Sequence, residues 1–240
     1  MTASLPMYPL AGLRPATERW WAEVAGALGS TEALAPWGAD AGALWRDPDL
    51  TLSQACGWPV ATSLAGAVRV LGALAYRTPR WRGTTYASVI VAGRPGAVAE
   101  FRGGRAAVNS LDSLSGWISL VAALGCKPAD LVITGAHLGS LHAVQAGTAD
   151  VAAIDALTLD YVRRLHPELV DGLHEVGRGP DIPTLPLITS IRASDAEVAA
   201  LRSALASASR SPAAAELWID GFAELDEADY APIRALEPAP

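Results

Sequence analysis

Basic clusters, membrane-length apolar runs, metal-ligand cysteine spacings and a recognisable export leader are all missing from this 240-residue chain. Its 18 Lys and Arg stand against 25 Asp and Glu, a net charge of −7, with no basic block or stripe. Sequence-independent nucleic-acid binding needs clustered cations to neutralise phosphates, so that class is excluded. An anionic small ligand is not excluded, because backbone amides and hydroxyls bind anions without a formal positive charge. No stretch approaches the ~18 uninterrupted apolar residues of a membrane span, which predicts no membrane insertion. The two cysteines, Cys56 and Cys126, lack metal spacing and predict no metal site. A single disulfide between them is allowed but not required, so they leave the compartment open. The opening Met-Thr-Ala-Ser-Leu-Pro-Met-Tyr has neither a basic n-region nor a long apolar h-region. As it stands, this predicts a cytoplasmic protein, or a periplasmic one if an export signal has been removed. Internal repeats, low-complexity tracts and a Gly-x-Ser-x-Gly nucleophile elbow are absent as well.

What is present is globular: 51% of residues are hydrophobic and 18% charged, enough for one large domain or two lobes of roughly 100 residues each. Ala3–Tyr8 reads as a strand. Arg14-Pro15 opens a helix whose apolar face carries Trp20, Trp21, Val24 and Leu28, a stripe that points to core packing. Residues 29–45 are rich in Ala and Gly and carry no clear pattern. Asp49–Ser53 alternates like a strand, Thr62–Ala67 reads as a short helix and Val68–Tyr76 as a strand. From the buried β-branched run Tyr86–Ala92 onward, strand and helix alternate. A short helix near Ala97–Phe101 precedes strand Ala106–Asn109 and helix Leu114–Leu124. Strand Leu131–Thr134, helix Leu138–Ala146 closed by Gly147, strand Val151–Ile154 and helix Leu157–Leu165 follow. Leu173–Val176 and Pro183–Thr189 are further strands, and Asp195–Ala208 is a long helix. This alternation predicts an α/β protein with mostly parallel sheets flanked by helices.

The most informative segment is Arg105–Trp117, where an apolar strand runs into Asn109-Ser110 and then Ser113-Leu-Ser-Gly116 before a helix. Hydroxyls and open N–H groups at a helix N-terminus bind small anions. Two readings stand: helix capping alone, or an anion site. Ligands of open α/β sheets sit beyond the carboxyl ends of strands. There the sequence places Tyr8, Gln54, Asn109 with Ser113 and Ser115, His137, and Asp155. A shared pocket is the expectation.

Read together, Gly104-Arg-Ala-Ala-Val-Asn-Ser with Ser113-Leu-Ser-Gly116, Thr134-Gly-Ala-His137 and Ala149-Asp-Val-Ala-Ala-Ile-Asp155 resemble the phosphate/phosphonate ABC-transporter family of solute-binding proteins. Leu52-Ser-Gln-Ala-Cys-Gly57, Tyr86-Ala-Ser-Val-Ile-Val and Gly221-Phe-Ala-Glu-Leu add to the resemblance, which covers most of the chain. It implies a two-lobed type II periplasmic-binding-protein fold with two crossing strands, Tyr86–Ala92 and Pro183–Thr189. Lobe one is then 1–87 with 186–240, lobe two is 88–185, and the ligand lies in an interlobe cleft. The family's anion-binding hydroxyls fall on Ser113 and Ser115, next to Gly116. The middle position, often a third hydroxyl, is Leu114 here, which removes a donor. Tyr86 matches a ligand-reaching tyrosine, with strand packing as its alternative. His137 matches a histidine that donates to phosphonate oxygens, with capping or a loop role as its alternative. Asp155 matches an acidic group that meets a ligand amine, with capping of the following helix as its alternative. Gln54, Cys56, Gly57 and Trp58 would form the wall of lobe one, Trp58 stacking on a ligand or, with Pro59, making a rigid turn.

Binding of a small polar anion or zwitterion without catalysis or cofactor is therefore the leading expectation. The partner is a small molecule, with an ABC permease added if the protein is exported. The alternative is a cytoplasmic biosynthetic enzyme on the same fold, similar to those of menaquinone or thiamine-precursor synthesis. His137 would then be base or nucleophile and Asp155 its assistant. A partner-recognition module is a third class; it requires an exposed apolar patch, which eight Trp residues permit but do not locate.

Overall fold

Pro15, tolerated where a helix's first N–H groups have no partner anyway, and the apolar spacing behind it account for the first long helix. The computed structural model describes residues 2–237; residues 1 and 238–240, assigned above to lobe one, lie outside the described part. Strand β1 (Thr2–Ser4) is followed by α1 (Arg14–Ala27). β1 is shorter than expected because Pro6 and Pro9 cannot donate to a ladder. Trp20 and Trp21 are 1% and 3% exposed, so both are core residues. The unassigned Ala/Gly stretch contains α2 (Ala41–Leu44), capped by Asp40. β2 (Leu50–Gln54) leads into α3 (Gly57–Ala61). The helix expected at Thr62–Ala67 is instead a set of turns, one step too late in the chain. Pro59 favours a first turn around itself, whereas Gly66 at φ +72° breaks any helix through that stretch. β3 (Val68–Arg77) and β4 (Arg82–Gly83) form a hairpin.

β5 (Thr85–Ala92) buries every residue after Thr85. β6 (Arg105–Val108) precedes a wide π-helical turn, Leu114–Ile118, that continues as α4 (Ser119–Leu124). β7 (Asp130–Ile133), α5 (His137–Gln145), β8 (Val151–Ile154) and α6 (Ala156–Leu165) keep the expected alternation. Gly147, at φ +71° just past α5, supplies the left-handed conformation that ends the helix. β9 is longer than expected, His174–Pro183, and β10 begins later, Pro186–Ser190. α7 (Asp195–Ala208), α8 (Pro212–Glu216), β11 (Ile219–Ala223) and α9 (Glu227–Tyr230) complete the order.

Two sheets result, one in each of two compact units. One unit runs to Thr85 and resumes over Pro183–Pro232; the other covers Tyr86–Ile182 and the described residues from Ile233. The chain thus passes between units three times. The last passage, at 232/233, is not contained in the two-crossing expectation, which left the C-terminal residues in lobe one. In the first unit the sheet order is β1-β2-β10-β3-β11, with β4 on β3. Only β1–β2 is parallel there; β10 pairs antiparallel with β2 and β3, and β11 and β4 pair antiparallel with β3. The expectation of a mostly parallel sheet is corrected for this unit. Parallel pairing needs a crossover returning the chain to the same sheet end, and β10 is instead reached only after the whole second unit. In the second unit the order is β7-β6-β8-β5-β9. β6 pairs parallel with β7 and β8, each reached through a helix, while β5 pairs antiparallel with β8. Its core joins Ile90, Phe101, Val108, Leu120, Leu124 and Val151. No helix among the described residues is long and apolar enough to cross a membrane, and Cys56 and Cys126 form no disulfide.

Tyr230 anchors α9 in the first unit. Its ring is fully buried and its hydroxyl donates to the Thr184 carbonyl at 2.8 Å. Burial pushes the phenol pKa well above its usual range. Tyr230→Phe leaves that carbonyl buried without its donor and is expected to cost about 1–3 kcal/mol. The measurement is urea unfolding, read as a lower midpoint at unchanged slope.

Candidate functional site

In the second unit, β6 delivers its chain end to a point where three segments meet. The Val108 carbonyl accepts from the Thr134 N–H and hydroxyl, and the Asn109 carbonyl accepts from Gly135 N–H at 3.0 Å. Gly135, at φ +80°, makes the turn that brings the start of α5 back against the Ser113 loop. Ser113 Oγ accepts from Gly116 N–H at 3.0 Å. The Ser113 carbonyl accepts from both Trp117 and Ile118 N–H, at 3.1 and 3.0 Å, which opens the π turn. Such turns recur at functional sites. Ser115, buried in this first turn, places Oγ 2.9 Å from His137 Nε2.

Gly116 lies against Asn109. A Cβ there would stand 1.9 Å from Asn109 Oδ1 and 3.1 Å from Ser113 Oγ. Asn109 Oδ1 is sealed from solvent and makes no hydrogen bond. Asn109 Oδ1 therefore fills the space that a side chain at position 116 would need.

His137 is the first residue of α5, and its Nδ1 is closed off from solvent without a well-formed hydrogen bond. Burial holds the ring's pKa below the ordinary histidine range, so it is uncharged at neutral pH. The Asp155 carboxylate and the Ala153 backbone oppose this less strongly. Asp155 caps α6, its Oδ1 accepting from Thr158 N–H at 2.8 Å. Asp155 thus caps α6 and also acts on the His137 ring, and Ser113 caps the turn that carries Ser115. No hydrogen bond joins Asp155 to His137 among the described residues, so Ser115, His137 and Asp155 are not wired as a nucleophile–base–acid relay, which needs the acid to orient the base. The arrangement offers two hydroxyls, first-turn N–H groups and an imidazole around one helix start. That set suits a small anion.

The remaining candidates are distributed. Tyr86 is buried near the start of β5. In the first unit Gln54 is buried at the end of β2, its Nε2 donating to Tyr76 Oη at 3.4 Å and its carbonyl accepting from Trp45 Nε1 at 3.3 Å. Tyr8 meets Tyr76 edge-on at 6.3 Å between ring centroids, and Tyr76 meets Trp81 at 6.1 Å. Trp58 is half-buried in the first turn of α3, outside this ring cluster, and its carbonyl accepts from Thr62 Oγ1. Trp58-Pro59 is thus part of a helix rather than a rigid turn. Tyr76 and Trp81 escaped the sequence reading. Tyr76 sits near the end of β3 and Trp81 just before β4, so a search for aromatic groups at every strand end would have found the pair.

No curated protein matches the chain in sequence. Among solved structures, the binding-protein component of an ABC phosphonate transporter from Pseudomonas aeruginosa superposes with a TM-score of 0.78 at 15% identity, covering 98% of this chain and 84% of that one. PhnD1 from Prochlorococcus marinus, in complex with methylphosphonate, gives 0.77 at 13% identity, with 98% and 95% covered. XAC2383 from Xanthomonas citri, bound to ATP, gives 0.68 at 16% identity, with 98% and 94% covered. At these identities the structures establish the fold, that of periplasmic binding proteins. A family model described as the periplasmic substrate-binding protein of phosphonate ABC transporters matches residues 49–230, roughly three-quarters of the chain. With that match, the chain belongs to the phosphonate ABC-transporter family of periplasmic substrate-binding proteins.

Proposed function

We propose that the protein binds a small phosphonate- or phosphate-like anion, or a zwitterion of that kind, and hands it unchanged to an ABC permease. Family membership supports solute binding over the biosynthetic-enzyme alternative. The observation that carries the ligand class is the cluster of Ser113, Ser115 and His137 at the helix start beyond β6, with Ser115 Oγ 2.9 Å from His137 Nε2. Two hydroxyls and the open N–H groups of a first turn meet the oxygens of such an anion, and the helix dipole adds to them. Asp155, next to this cluster, answers an amine on the same ligand. Leu114, buried and apolar, contributes no donor. Delivery to a permease places the protein's work in the periplasm or at the cell surface, the compartment of its family.

Methylphosphonate and inorganic phosphate titrated calorimetrically into the full chain test this reading. Binding is expected, with the ligand recovered intact after long incubation and a raised melting temperature. Ser113→Ala and Ser115→Ala should each weaken it by about 1–3 kcal/mol, the loss of one charge-assisted partner. Unchanged affinity in both variants would reduce the serines to helix caps. Catalytic disappearance of the ligand, stopped by His137→Ala, would overturn binding without turnover.

A further inference from the structure

We propose that Trp218, with Arg77 and Arg82, forms a docking surface in the first unit for an acidic segment of a protein partner. This surface is independent of the anion site in the second unit.

Trp218 is a point of backbone strain. Its φ is +55°, and the ten other described residues with positive φ are all glycines. It comes just after α8 and its cap residue Leu217, the place where glycine commonly supplies the left-handed turn that ends a helix. A bulky residue is disfavoured there by its own Cβ. Hydrogen bonds hold the backbone in place from both sides. Trp218 N–H donates to the Ala215 carbonyl at 3.0 Å, and the Trp218 carbonyl accepts from Arg77 N–H at 2.8 Å. Glycine would make the same two bonds without strain. The indole is only half-buried, so its burial offsets the strain less than that of a core tryptophan would. Strain of this kind collects where a side chain is needed for contact with something else.

The neighbouring strands bring charge to the same place. Ile219 pairs with Tyr76, and β4 sets Arg82 directly opposite Arg77. Like charges facing each other across a ladder repel. Asp220, two residues after Trp218, offers one oxygen to both: Oδ2 accepts from Arg77 Nη2 at 3.1 Å and from Arg82 Nε at 2.9 Å. Arg77, with Arg82, holds the Asp220 carboxyl below its usual range, so it stays ionised. Two cations therefore share one anion, and a positive charge is left over. The Arg77 and Arg82 side chains are 55% and 63% exposed. Each gives one side-chain N–H to Asp220 and keeps the rest of its fork open. Glu216, two residues before Trp218, is engaged by Arg19 through both of its oxygens.

An indole flanked by two guanidiniums has the composition of a protein-interface anchor. The open planar forks fit carboxylates. A lipid surface fits less well. The large exposed hydrophobic of the first unit, among the described residues, is Ile191, and it follows β10 at the end of the sheet where β3 begins. It lends Trp218 no apolar neighbour for entering a bilayer.

The test is titration of the isotope-labelled full chain with hexaglutamate at low salt, followed by NMR at the indole N–H signals, with hexalysine and phosphatidylglycerol vesicles as comparisons. Hexaglutamate is expected to shift the indole signal that Trp218→Gly removes, to bind at least about tenfold more tightly than hexalysine, and to weaken as salt rises. Replacing both arginines, Arg77→Gln with Arg82→Gln, should weaken hexaglutamate by about tenfold or more, the loss of charge-assisted partners. Trp218→Gly should weaken it by at least about tenfold as well, while the urea midpoint stays close to that of the wild type, because relief of the left-handed turn offsets the lost indole contacts. No shift of this indole with hexaglutamate, or unchanged affinity in Trp218→Gly, would overturn the inference. A midpoint lowered as far in Trp218→Gly as in the core variant Trp20→Ala would overturn it too, since the indole would then be held for packing. Vesicles that move this signal more strongly than hexaglutamate would replace the protein partner with a membrane. The wild-type titration decides even if a variant does not fold.

Discussion

Gly116→Ala is expected to cut methylphosphonate affinity by more than about 100-fold, the equivalent of losing two charge-assisted donors. The added Cβ would stand 1.9 Å from Asn109 Oδ1 and 3.1 Å from Ser113 Oγ. The first is an overlap with the end of the Asn109 side chain, which is closed in from solvent, so turning it away disturbs its buried surroundings. The second presses on the Ser113 cap itself, so the loop is expected to shift and with it the position of Ser115. Ser115 would then lose its 2.9 Å contact with His137. A second substitution separates crowding from chemistry. Asn109→Ala removes the overlapping oxygen, so the double variant should recover part of the affinity that Gly116→Ala loses, a clear departure from additivity. Full affinity in Gly116→Ala alone would mean that this loop does not hold the ligand.

Gly72→Ala carries the largest expected cost in stability, about 3–5 kcal/mol when a disfavoured backbone conformation and overpacking are combined. Gly72 sits in β3, between β10 and β11, at φ +146°. A Cβ there would lie 2.2 Å from the Ala223 carbonyl oxygen and 2.7 Å from the Phe222 ring. The oxygen belongs to the β11 backbone, whose ladder with β3 includes Ala223 opposite Ala73 and Phe222 opposite Leu74. Relief requires shifting a whole strand. Gly221→Ala is the internal control, since its Cβ would meet only Ala75 at an ordinary 3.9 Å. Urea unfolding of the two variants should differ by several kcal/mol; similar midpoints would show that β11 yields without cost.

Much of the second unit was legible in the residues. The run Tyr86–Ala92, the short apolar strands and the helix stop at Gly147 are local signals, and each produced its element within a residue or two. Ser115 and His137 could be named because they follow strands β6 and β7. Their contact could not be foreseen. It spans 22 positions and depends on β6 and β7 pairing in parallel, with Val108 opposite Ile133, so that both strand ends face one spot. The first unit was less legible. Its helix α3 was displaced by one turn because the roles of Pro59 and Gly66 oppose each other over a few residues. Its strand directions were misjudged because alternation of strand and helix says nothing about strands separated by an entire unit.

Composition and short-range pattern alone determined an α/β chain with hydroxyls gathered at a helix start and a histidine at the next one. These follow from side-chain hydropathy and backbone preference, which act over a few residues. Tertiary structure decided that Ser115 and His137 share one hydrogen bond, that Asp155 both caps α6 and acts on the imidazole, and that Tyr8, Gln54, Tyr76 and Trp81 form one group. Those outcomes depend on register, strand direction and burial, which are set by contacts between residues far apart in the chain and carry no local signature.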